Sequence, residues 1–309
     1  MQDRAFTLAC VVDNHPRFFT ELVLWAHCVE RHIPRSGFIP IVYFVGHPHA
    51  ELCDWLSSKK ISHRSIDPIV PGSPHCNKIG PFLDAHVTDY TIVSDVDLFF
   101  VRDPSNLFGS DRIRAAPNNH CNPPDFIYKR ILAASGLNRP YRSGMSLYRG
   151  NLGLRETHIN HISAGIVGLP CSRSRGFAAR WKHWAEWLVA NRSILEQWGR
   201  QVDQVAFCLA AENIQEDVEF LPAQVNTILQ SLDEIATVYA FHLTSGHIPN
   251  YPHLFNADKT MKATTGFSQG VNDALGMLND CIGAAVRDIL SLSATRDHLA
   301  NFLNPRWRR

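Results

Sequence analysis

Apolar segments alternate with segments of helical periodicity along the first hundred residues, and this alternation restricts the possible folds more than any other feature. Residues 5–12 read AFTLACVV, an uninterrupted apolar run that ends at Asp13-Asn14-His15-Pro16. Such a run is typical of a strand that is buried on both faces. Residues 18–32 then repeat apolar side chains three and four positions apart, which predicts an amphipathic helix that is closed by Pro34.

The alternation continues along the rest of the chain. Further patterns predict strands at residues 39–45, 61–66 and 90–94 and helices at residues 50–57 and 77–86. The second half adds strands at 162–169, 219–221 and 238–243, helices at 175–191 and 203–211, and one or two helices within 271–302. Parallel strands need long crossover connections, which helices supply. The sequence therefore predicts an α/β fold with a mostly parallel central sheet, flanking helices and a C-terminal helical segment.

The balance of charges limits the partners of this chain. Its 309 residues include 30 Lys and Arg against 29 Asp and Glu, which gives a formal net charge of +1. A surface that binds nucleic acid or an anionic membrane is usually much more basic. We therefore expect no nucleic-acid partner, although the basic and aromatic residues 305–309 leave a peripheral membrane contact open.

Apolar runs and cysteines bear on the cellular compartment. No apolar stretch reaches the roughly 18 residues of a transmembrane helix, so no membrane-spanning segment is expected. The run at residues 5–12 has no small-residue cleavage site behind it, which favours a first strand over a signal peptide. The eight cysteines are scattered and form no CxxC pair. This distribution predicts reduced thiols and a cytoplasmic location.

Two carboxylates at the end of the fourth predicted strand form the most informative motif. Asp95 and Asp97 flank Val96 directly after the apolar residues 90–94. Side chains two residues apart in an extended segment point to the same face, so both carboxylates are expected to converge. Such a pair suits Mg²⁺ or Mn²⁺, which prefer oxygen ligands. The motif by itself also fits two aspartates that only form a turn or cap a helix.

Six elements in order along the chain resemble the GT-A class of nucleotide-sugar-dependent glycosyltransferases, whose central sheet is Rossmann-like. The similarity is greatest to the retaining members of the glycogenin and lipopolysaccharide galactosyltransferase type, and it covers residues 5–250. The matching elements are the acidic turn Asp13-Asn14, Asn77-Lys78, the DxD at Asp95 and Asp97, the segment Ser163-Ala164-Gly165, Asp203-Gln204 at a helix start, and Phe241-His242 followed by Gly246.

The resemblance implies roles for these residues. His242 would be the third protein ligand of a metal ion, and Lys78 would pair with the diphosphate of the donor. Asp203 and Gln204 would lie beside the reacting carbon of the sugar. The remaining residues implied to contact the donor are Asp13, Asn14, Ser94, Val96, Ser163, Ala164, Gly165, Gly246 and His247.

Each of these residues also has a structural interpretation. Asp203 can be a helix cap, Lys78 a solvated side chain and His242 a hydrogen-bonded core or turn residue. Gly165, on a central strand, would let a ligand approach the backbone closely, but close packing against a neighbouring helix explains a glycine there almost as well.

The sequence departs from the family pattern at two places. The family usually has a lysine shortly after its late histidine, whereas residues 243–249 contain none, so that His247, Lys259 or Lys262 would have to replace it. The first loop has His15 and Phe18 where the family usually has a tyrosine. A UDP-sugar is still the expected donor, but these departures leave the base and the sugar open.

Together the motifs predict a glycosyltransferase that uses Mn²⁺ or Mg²⁺ and a nucleoside diphosphate sugar, with retention of configuration. The acceptor, whether carbohydrate, lipid-linked or protein, is not specified. Residues 1–250 are predicted to form the catalytic domain, with a nucleotide-sugar-binding half at 1–117, an irregular insertion at 118–161 and an acceptor half at 162–250; residues 251–309 are predicted to form a helical extension.

Three alternatives to this interpretation stay open. If the reaction inverts configuration, Asp203 is the candidate general base. A nucleotidyltransferase would share the sheet and the metal carboxylates, and a nucleotide-sugar-binding protein would keep the DxD motif without catalysing a reaction.

Overall fold

A seven-stranded sheet lies at the centre of the protein. The computed structural model describes residues 4–118, 122–145, 156–227, 236–243 and 267–295. The strands are β1 (Phe6–Asp13), β2 (Phe38–Val45), β3 (Ser62–Ile66), β4 (Tyr90–Ser94), β5 (Leu98–Phe100), β6 (Arg114–Pro117), β7 (Ser143–Met145), β8 (Glu156–His158), β9 (Ile162–Pro170), β10 (Glu219–Phe220) and β11 (Ala240–His242). Two strand pairs lie outside the central sheet: β5 pairs with β11, and β7 pairs with β8.

The central sheet is mostly parallel, as the alternation of strands and helices predicts. Its strand order is β10-β6-β9-β4-β1-β2-β3, and β9 alone runs antiparallel to its neighbours β4 and β6. The antiparallel direction of β9 brings its amino end next to the carboxyl end of β4, where Ser94 pairs with Ile166. Asp13, Asp95 and the start of β9 therefore meet at one edge of the sheet, where open α/β sheets bind their ligands.

Helices cover both faces of the sheet. They are α1 (Pro16–His32), α2 (Ala50–Ser58), α3 (Gly80–Leu83), α4 (Asp125–Ser135), α5 (Cys171–Ala190), α6 (Val202–Asn213) and α7 (Gln269–Ser291). Apolar side chains of α1, α2 and α7 share one core cluster with Leu8, Cys10 and Val12 of β1. Side chains of α3, α4, α5 and α6 share the second cluster with Ala9 of β1. Alternate side chains of β1 thus pack into the two core clusters on opposite faces of the sheet, which explains its uninterrupted apolar sequence.

The helix predicted at residues 77–86 is divided and shorter. A 3-10 helix covers Pro74–Ile79, α3 follows, and the chain becomes extended at Asp84. Pro81 lies in the first turn of α3. A proline there has no N–H to donate to the preceding turn, so it starts a new helix and cannot extend the previous one.

The described parts of residues 118–161, which the sequence predicts to be an irregular insertion, include a helix and two short strands. They contain α4, which buries Ile127, Tyr128, Ile131 and Leu132, and the paired strands β7 and β8. Pro124 precedes α4 and Gly136 ends it in a left-handed conformation. These boundary residues gave the segment a loop-like composition, although an amphipathic helix lies between them. The division of the chain into domains stays a prediction.

The seven cysteines in the described part of the chain are all free thiols. This agrees with the scattered spacing of cysteines in the sequence. Among the described helices, none combines the length and the apolar composition that crossing a membrane requires.

Replacing Gly168 with alanine is expected to destabilise the sheet. A Cβ atom at this position of β9 would lie 2.6 Å from Cε1 of Tyr90 and 2.7 Å from Cδ1 of Phe108. We expect Gly168→Ala to lower the free energy of unfolding in urea by about 1–3 kcal/mol, the usual cost of overpacking a core. Gly276→Ala is the matched control, because a Cβ atom there on α7 meets no atom within 4 Å. The control is expected to gain up to about 1 kcal/mol from helix propensity; equal stability of the two variants would contradict the packing argument.

Candidate active site

The segment between β4 and β5 forms a turn that holds two carboxylates. The amide of Leu98 donates to the carbonyl oxygen of Asp95 at 3.1 Å, and the amide of Asp95 donates to the carbonyl oxygen of Gly165 at 2.8 Å. Val96, between the two aspartates, is 5% exposed and packs into the core. The prediction of an extended segment at Asp95 and Asp97 was therefore wrong. The carboxylates converge because the chain turns.

His242 reaches this turn through the small antiparallel sheet. The pairing of β11 with β5 places His242 opposite Leu98, and the amide of Leu243 donates to the carbonyl oxygen of Asp97 at 3.0 Å. Nε2 of His242 lies 3.2 Å from Oδ1 of Asp97 and 3.8 Å from Oδ2 of Asp95. One ligand atom from each of the three residues lies within 4.8 Å of the others. Two carboxylates and an imidazole in this arrangement could hold a divalent cation.

Asp97 and His242 each stabilise the ionised form of the other. Burial alone would lower the pKa of His242, but the carboxylates of Asp97 and Asp95 together raise it. Burial likewise opposes ionisation of Asp97, but His242 and Lys78 lower its pKa below the ordinary value. A proton on His242 would place a positive charge between two carboxylates. A divalent cation would displace this proton, because a metal ligand must present a neutral imidazole.

Lys78 connects the turn to α6. Its Nζ donates to Oδ1 of Asp95 at 2.6 Å and to the carbonyl oxygen of Ala164 at 2.9 Å, and it lies 3.5 Å from Oδ2 of Asp203. Burial would lower the pKa of Lys78, but Asp95 and Asp203 together raise it. Burial raises the pKa of Asp203, although Lys78 opposes the shift. Lys78 therefore stays charged and keeps Asp203 close to the carboxylates of the turn.

Gly165 makes room for a protein side chain. A Cβ atom at position 165 would lie 2.9 Å from Oδ1 of Asn226 and 3.0 Å from Cε1 of His242. Nδ2 of Asn226 in turn donates to Oγ of Ser163 at 2.9 Å. The atoms closest to such a Cβ belong to the His242 ring and to Asn226, so the glycine accommodates these two side chains; its contact with a ligand stays a prediction.

A cavity of 510 Å³ opens at this edge of the sheet. Most of the predicted site residues line it: Asp13, Lys78, Ser94, Asp95, Val96, Asp97, Ser163, Gly165, Asp203, Gln204 and His242. Two others do not: Asn14 is exposed outside the lining, and Ala164 takes part only through its carbonyl oxygen. Gly246, His247, Lys259 and Lys262 lie outside the described residues. The motifs that the sequence placed far apart thus surround one cavity.

Hydrogen bonds fix the polar side chains around the cavity. Asn77 Nδ2 donates to Oδ1 of Asp13 at 3.0 Å, and burial raises the pKa of Asp13 although this bond opposes the shift. Nε1 of Trp25 donates to Oγ of Ser94 at 3.0 Å. Nδ2 of Asn118 donates to Oε1 of Gln204 at 3.3 Å. These bonds hold the side chains in place without a ligand, a preorganised arrangement.

Sequence reasoning missed several residues of the site. Arg17 and Arg200 line the cavity, and Glu21 lies behind Arg17 on α1 with a side chain that is 3% exposed. Burial raises the pKa of Glu21 to about 8, and the carboxylate of Asp97 contributes to the rise. The signal for this pair was weak, since an arginine four residues before a glutamate is a common surface pattern on helices. The signal that could have found it is an acidic residue inside an otherwise apolar helical stripe.

Solved structures of glycosyltransferases are similar to this chain. The galactosyltransferase LgtC, solved with donor and acceptor sugar analogs, is 12% identical with a TM-score of 0.57, over 89% of this chain and 95% of that chain. An active-site mutant of LgtC is 10% identical with a TM-score of 0.56, over the same shares. The glycosyltransferase GlyE of Streptococcus pneumoniae TIGR4 is 12% identical with a TM-score of 0.50, over 94% of this chain and 64% of that chain.

These similarities establish the fold. The chain has the GT-A glycosyltransferase fold, as the resemblance of its motifs predicts. A comparison with protein-family models found no match, and neither did a comparison with curated protein sequences.

Gly165→Ala is expected to weaken metal binding. The added methyl group would displace the His242 ring or Asn226, because it would lie 3.0 Å or less from both. Displacing a ligand through a neighbouring residue typically reduces metal affinity about 10- to 100-fold. Isothermal titration of Mn²⁺ into the variant and into the Gly276→Ala control measures this change. Unchanged affinity in Gly165→Ala would contradict the expected displacement of a metal-binding His242 ring.

Metal affinity is also expected to depend on pH. Protonated His242 competes with a cation, and Asp97 raises the pKa of His242 above its ordinary value. Mn²⁺ affinity should therefore rise as the pH rises from about 5.5 to about 8.5, by up to about tenfold per unit while one proton is displaced. Titrations in buffers across this range measure the slope. Affinity that is constant or falls with rising pH would contradict a histidine ligand.

Proposed function

We propose that this protein is a glycosyltransferase that transfers a sugar from a nucleoside diphosphate sugar, with UDP as the nucleotide, to an acceptor. One observation carries the proposal: Asp95, Asp97 and His242 converge beside the Lys78–Asp203 pair at the ligand-binding edge of the sheet. The fold is that of LgtC, which was solved with donor and acceptor sugar analogs. The donor, the metal and the stereochemistry are part of the proposal.

The ligand set favours Mn²⁺ or Mg²⁺ in the proposed reaction. Asp95 and Asp97 supply the hard oxygen ligands that both ions prefer, and His242 supplies a nitrogen. A divalent cation held there would act as a Lewis acid that neutralises the charge on the leaving diphosphate. The protein supplies the position: the turn at Asp95–Asp97 and the β5–β11 pairing hold the three side chains before any ligand arrives.

Asp203 and Gln204 are proposed to act on the sugar. Both line the cavity at the start of α6, and Lys78 holds Asp203 beside the candidate metal ligands Asp95, Asp97 and His242 (the metal cluster). In a retaining transfer, the bond from the anomeric carbon to the diphosphate breaks and its electron pair leaves with the diphosphate. The acceptor oxygen then bonds to that carbon from the same face, and its proton passes to the diphosphate. A carboxylate and an amide oxygen would stabilise the positive charge that develops at the carbon.

The nucleoside is proposed to lie at the end of β1. Asp13 faces the cavity and is held by Asn77, so its carboxylate is available at a fixed position. The contacts that the sequence assigned to Gly246 and His247 stay predictions. The free thiols fit the predicted cytoplasmic location, which also stays a proposal.

A thermal-shift screen tests the donor and the metal together. UDP-, GDP-, CDP- and ADP-sugars are each added with and without Mn²⁺. A ligand that binds only the folded state adds about 2.7 kcal/mol of stability at 100 times its Kd. We expect a shift with a UDP-sugar that depends on Mn²⁺. A shift with another base would correct the nucleotide, and no shift with any donor would contradict the proposed function.

Asp203→Asn separates catalysis from binding. The variant keeps the size of the side chain but removes the charge beside the reacting carbon, so donor hydrolysis and transfer are expected to fall about 100-fold or more. Mn²⁺-dependent affinity for UDP is expected to stay within about threefold of the wild type, since the metal ligands are intact. Asp280→Asn is the control, because Asp280 lies on α7 in an exposed ion pair with Arg31 of α1. Wild-type turnover in Asp203→Asn would remove this residue from the mechanism; binding of a donor without turnover in the wild type would favour a non-catalytic binding protein.

A further inference from the structure

A cationic side chain on α1 faces the cavity beside the metal cluster. Arg17 lines the cavity together with Asp97 and His242, and its side chain is 32% exposed. Its Nε donates to Oε1 of Glu21 at 3.1 Å, and its guanidinium carbon lies 5.2 Å from the centroid of the Phe18 ring. Among the described residues, neither terminal nitrogen of Arg17 has a hydrogen-bond partner. The two-nitrogen edge of the guanidinium is therefore available to a ligand.

Glu21 explains why Arg17 stays at this position. The side chain of Glu21 is 3% exposed, and its Oε2 has no partner within the described part of the structure. A buried carboxyl group without hydrogen bonds is costly, so the bond from Arg17 Nε is retained. This bond uses the inner edge of the guanidinium and leaves the outer edge free. Glu21 is thus a positioning residue for Arg17.

The other cation near the metal cluster is already occupied. The side chain of Lys78 is 11% exposed, and its ammonium group is bonded to Asp95 and to the carbonyl oxygen of Ala164. Arg200 lines the cavity next to Gln201 at the start of α6. In the described part of the cavity wall, Arg17 and Arg200 are therefore left to meet a ligand, and Arg17 is the one that a buried side chain holds in position.

The charges in the cavity show what such a cation would bind. The two negative charges of Asp95 and Asp97 balance one divalent cation, so the charge of a diphosphate group bound to that cation would remain uncompensated. A guanidinium edge with two parallel N–H donors matches the geometry of phosphate oxygens. Arg17 presents such an edge, with its Nε already fixed by Glu21.

We propose that Arg17 binds the diphosphate group of the nucleotide ligand and that Glu21 positions it. This inference rests on the proposed function, because it takes the nucleoside diphosphate as the ligand of the cavity. It assigns to the diphosphate a cationic residue that lies outside the motifs predicted from the sequence.

Binding of two anionic probes tests the role of Arg17. The Kd values of UDP and of inorganic pyrophosphate are measured by isothermal titration in the presence of Mn²⁺, for the wild type, Arg17→Met, Arg17→Lys and Arg31→Met. We expect Arg17→Met to raise the Kd of both probes about 10- to 100-fold, because the variant loses a charge-assisted bidentate contact. Arg17→Lys should recover only part of this loss, since lysine keeps the charge without the fork.

Arg31→Met is the matched control. It removes an arginine from the same helix, but the side chain of Arg31 is 53% exposed and pairs with Asp280 at 2.7 Å, so both probes should bind as they do to the wild type. Wild-type affinity in Arg17→Met would overturn the inference while leaving the proposed function intact. If the wild type binds neither probe, the proposed function fails together with the inference.

Replacement of Glu21 tests the positioning role. Glu21→Gln keeps an acceptor for Nε of Arg17, so it should reduce the affinity for UDP less than Glu21→Ala does. Glu21→Ala should add no further loss in a protein that already carries Arg17→Met, because the two residues act through one contact. Circular dichroism shows whether each variant is folded. If Glu21→Ala does not fold, Glu21→Gln replaces it in the test. Additive losses would overturn the positioning role.

Discussion

The antiparallel pairing of β5 with β11 is the contact on which the rest of the site depends. It joins segments about 140 residues apart in sequence and places His242 opposite Leu98, one residue from Asp97. The amide of Val101 donates to the carbonyl oxygen of Tyr239 at 2.9 Å, and Phe99, Phe100 and Phe241 are buried around the pair. The position of His242 is thus set by backbone hydrogen bonds and core packing, independently of a bound ion. A buried scaffold of this kind can hold ligand side chains in place at low cost when the ion binds.

Electrostatics then decides what this scaffold can hold. Asp95, Asp97 and Asp203 lie within one cavity and face the ammonium group of Lys78 and the imidazole of His242. Interactions between charges in such a partly buried cavity are much stronger than in water. In the proposed reaction a divalent cation held by Asp95, Asp97 and His242 would add positive charge for the diphosphate of the donor. Arg17, held by Glu21, adds positive charge on the α1 side. The arrangement therefore favours a ligand that brings a metal and a multiply charged anion together.

The sequence predicted the sheet from local apolar patterns, and it pointed to the residues around the cavity mainly through the resemblance of its motifs to the GT-A class; the roles of those residues stay predictions. The run at residues 5–12 and the DxD after β4 could be located from apolar periodicity and strand ends alone. The rest depends on contacts between distant segments: the role of Gly165 follows from the His242 ring above it, and Asn226 has no motif of its own. Arg17 and Glu21 matched an ordinary helical pair, and only the burial of Glu21 distinguishes them. The helix α4 was hidden by the prolines and asparagines that surround it.

The most direct test of this account is the position of a bound metal ion. A crystal grown with Mn²⁺ and UDP, with data collected at a wavelength where manganese scatters anomalously, locates the ion independently of activity. The account predicts one anomalous peak bounded by the carboxylates of Asp95 and Asp97 and by Nε2 of His242, at about 2.0–2.3 Å from each. A peak elsewhere, or nucleotide bound in the cavity with no peak between these three side chains, would contradict it.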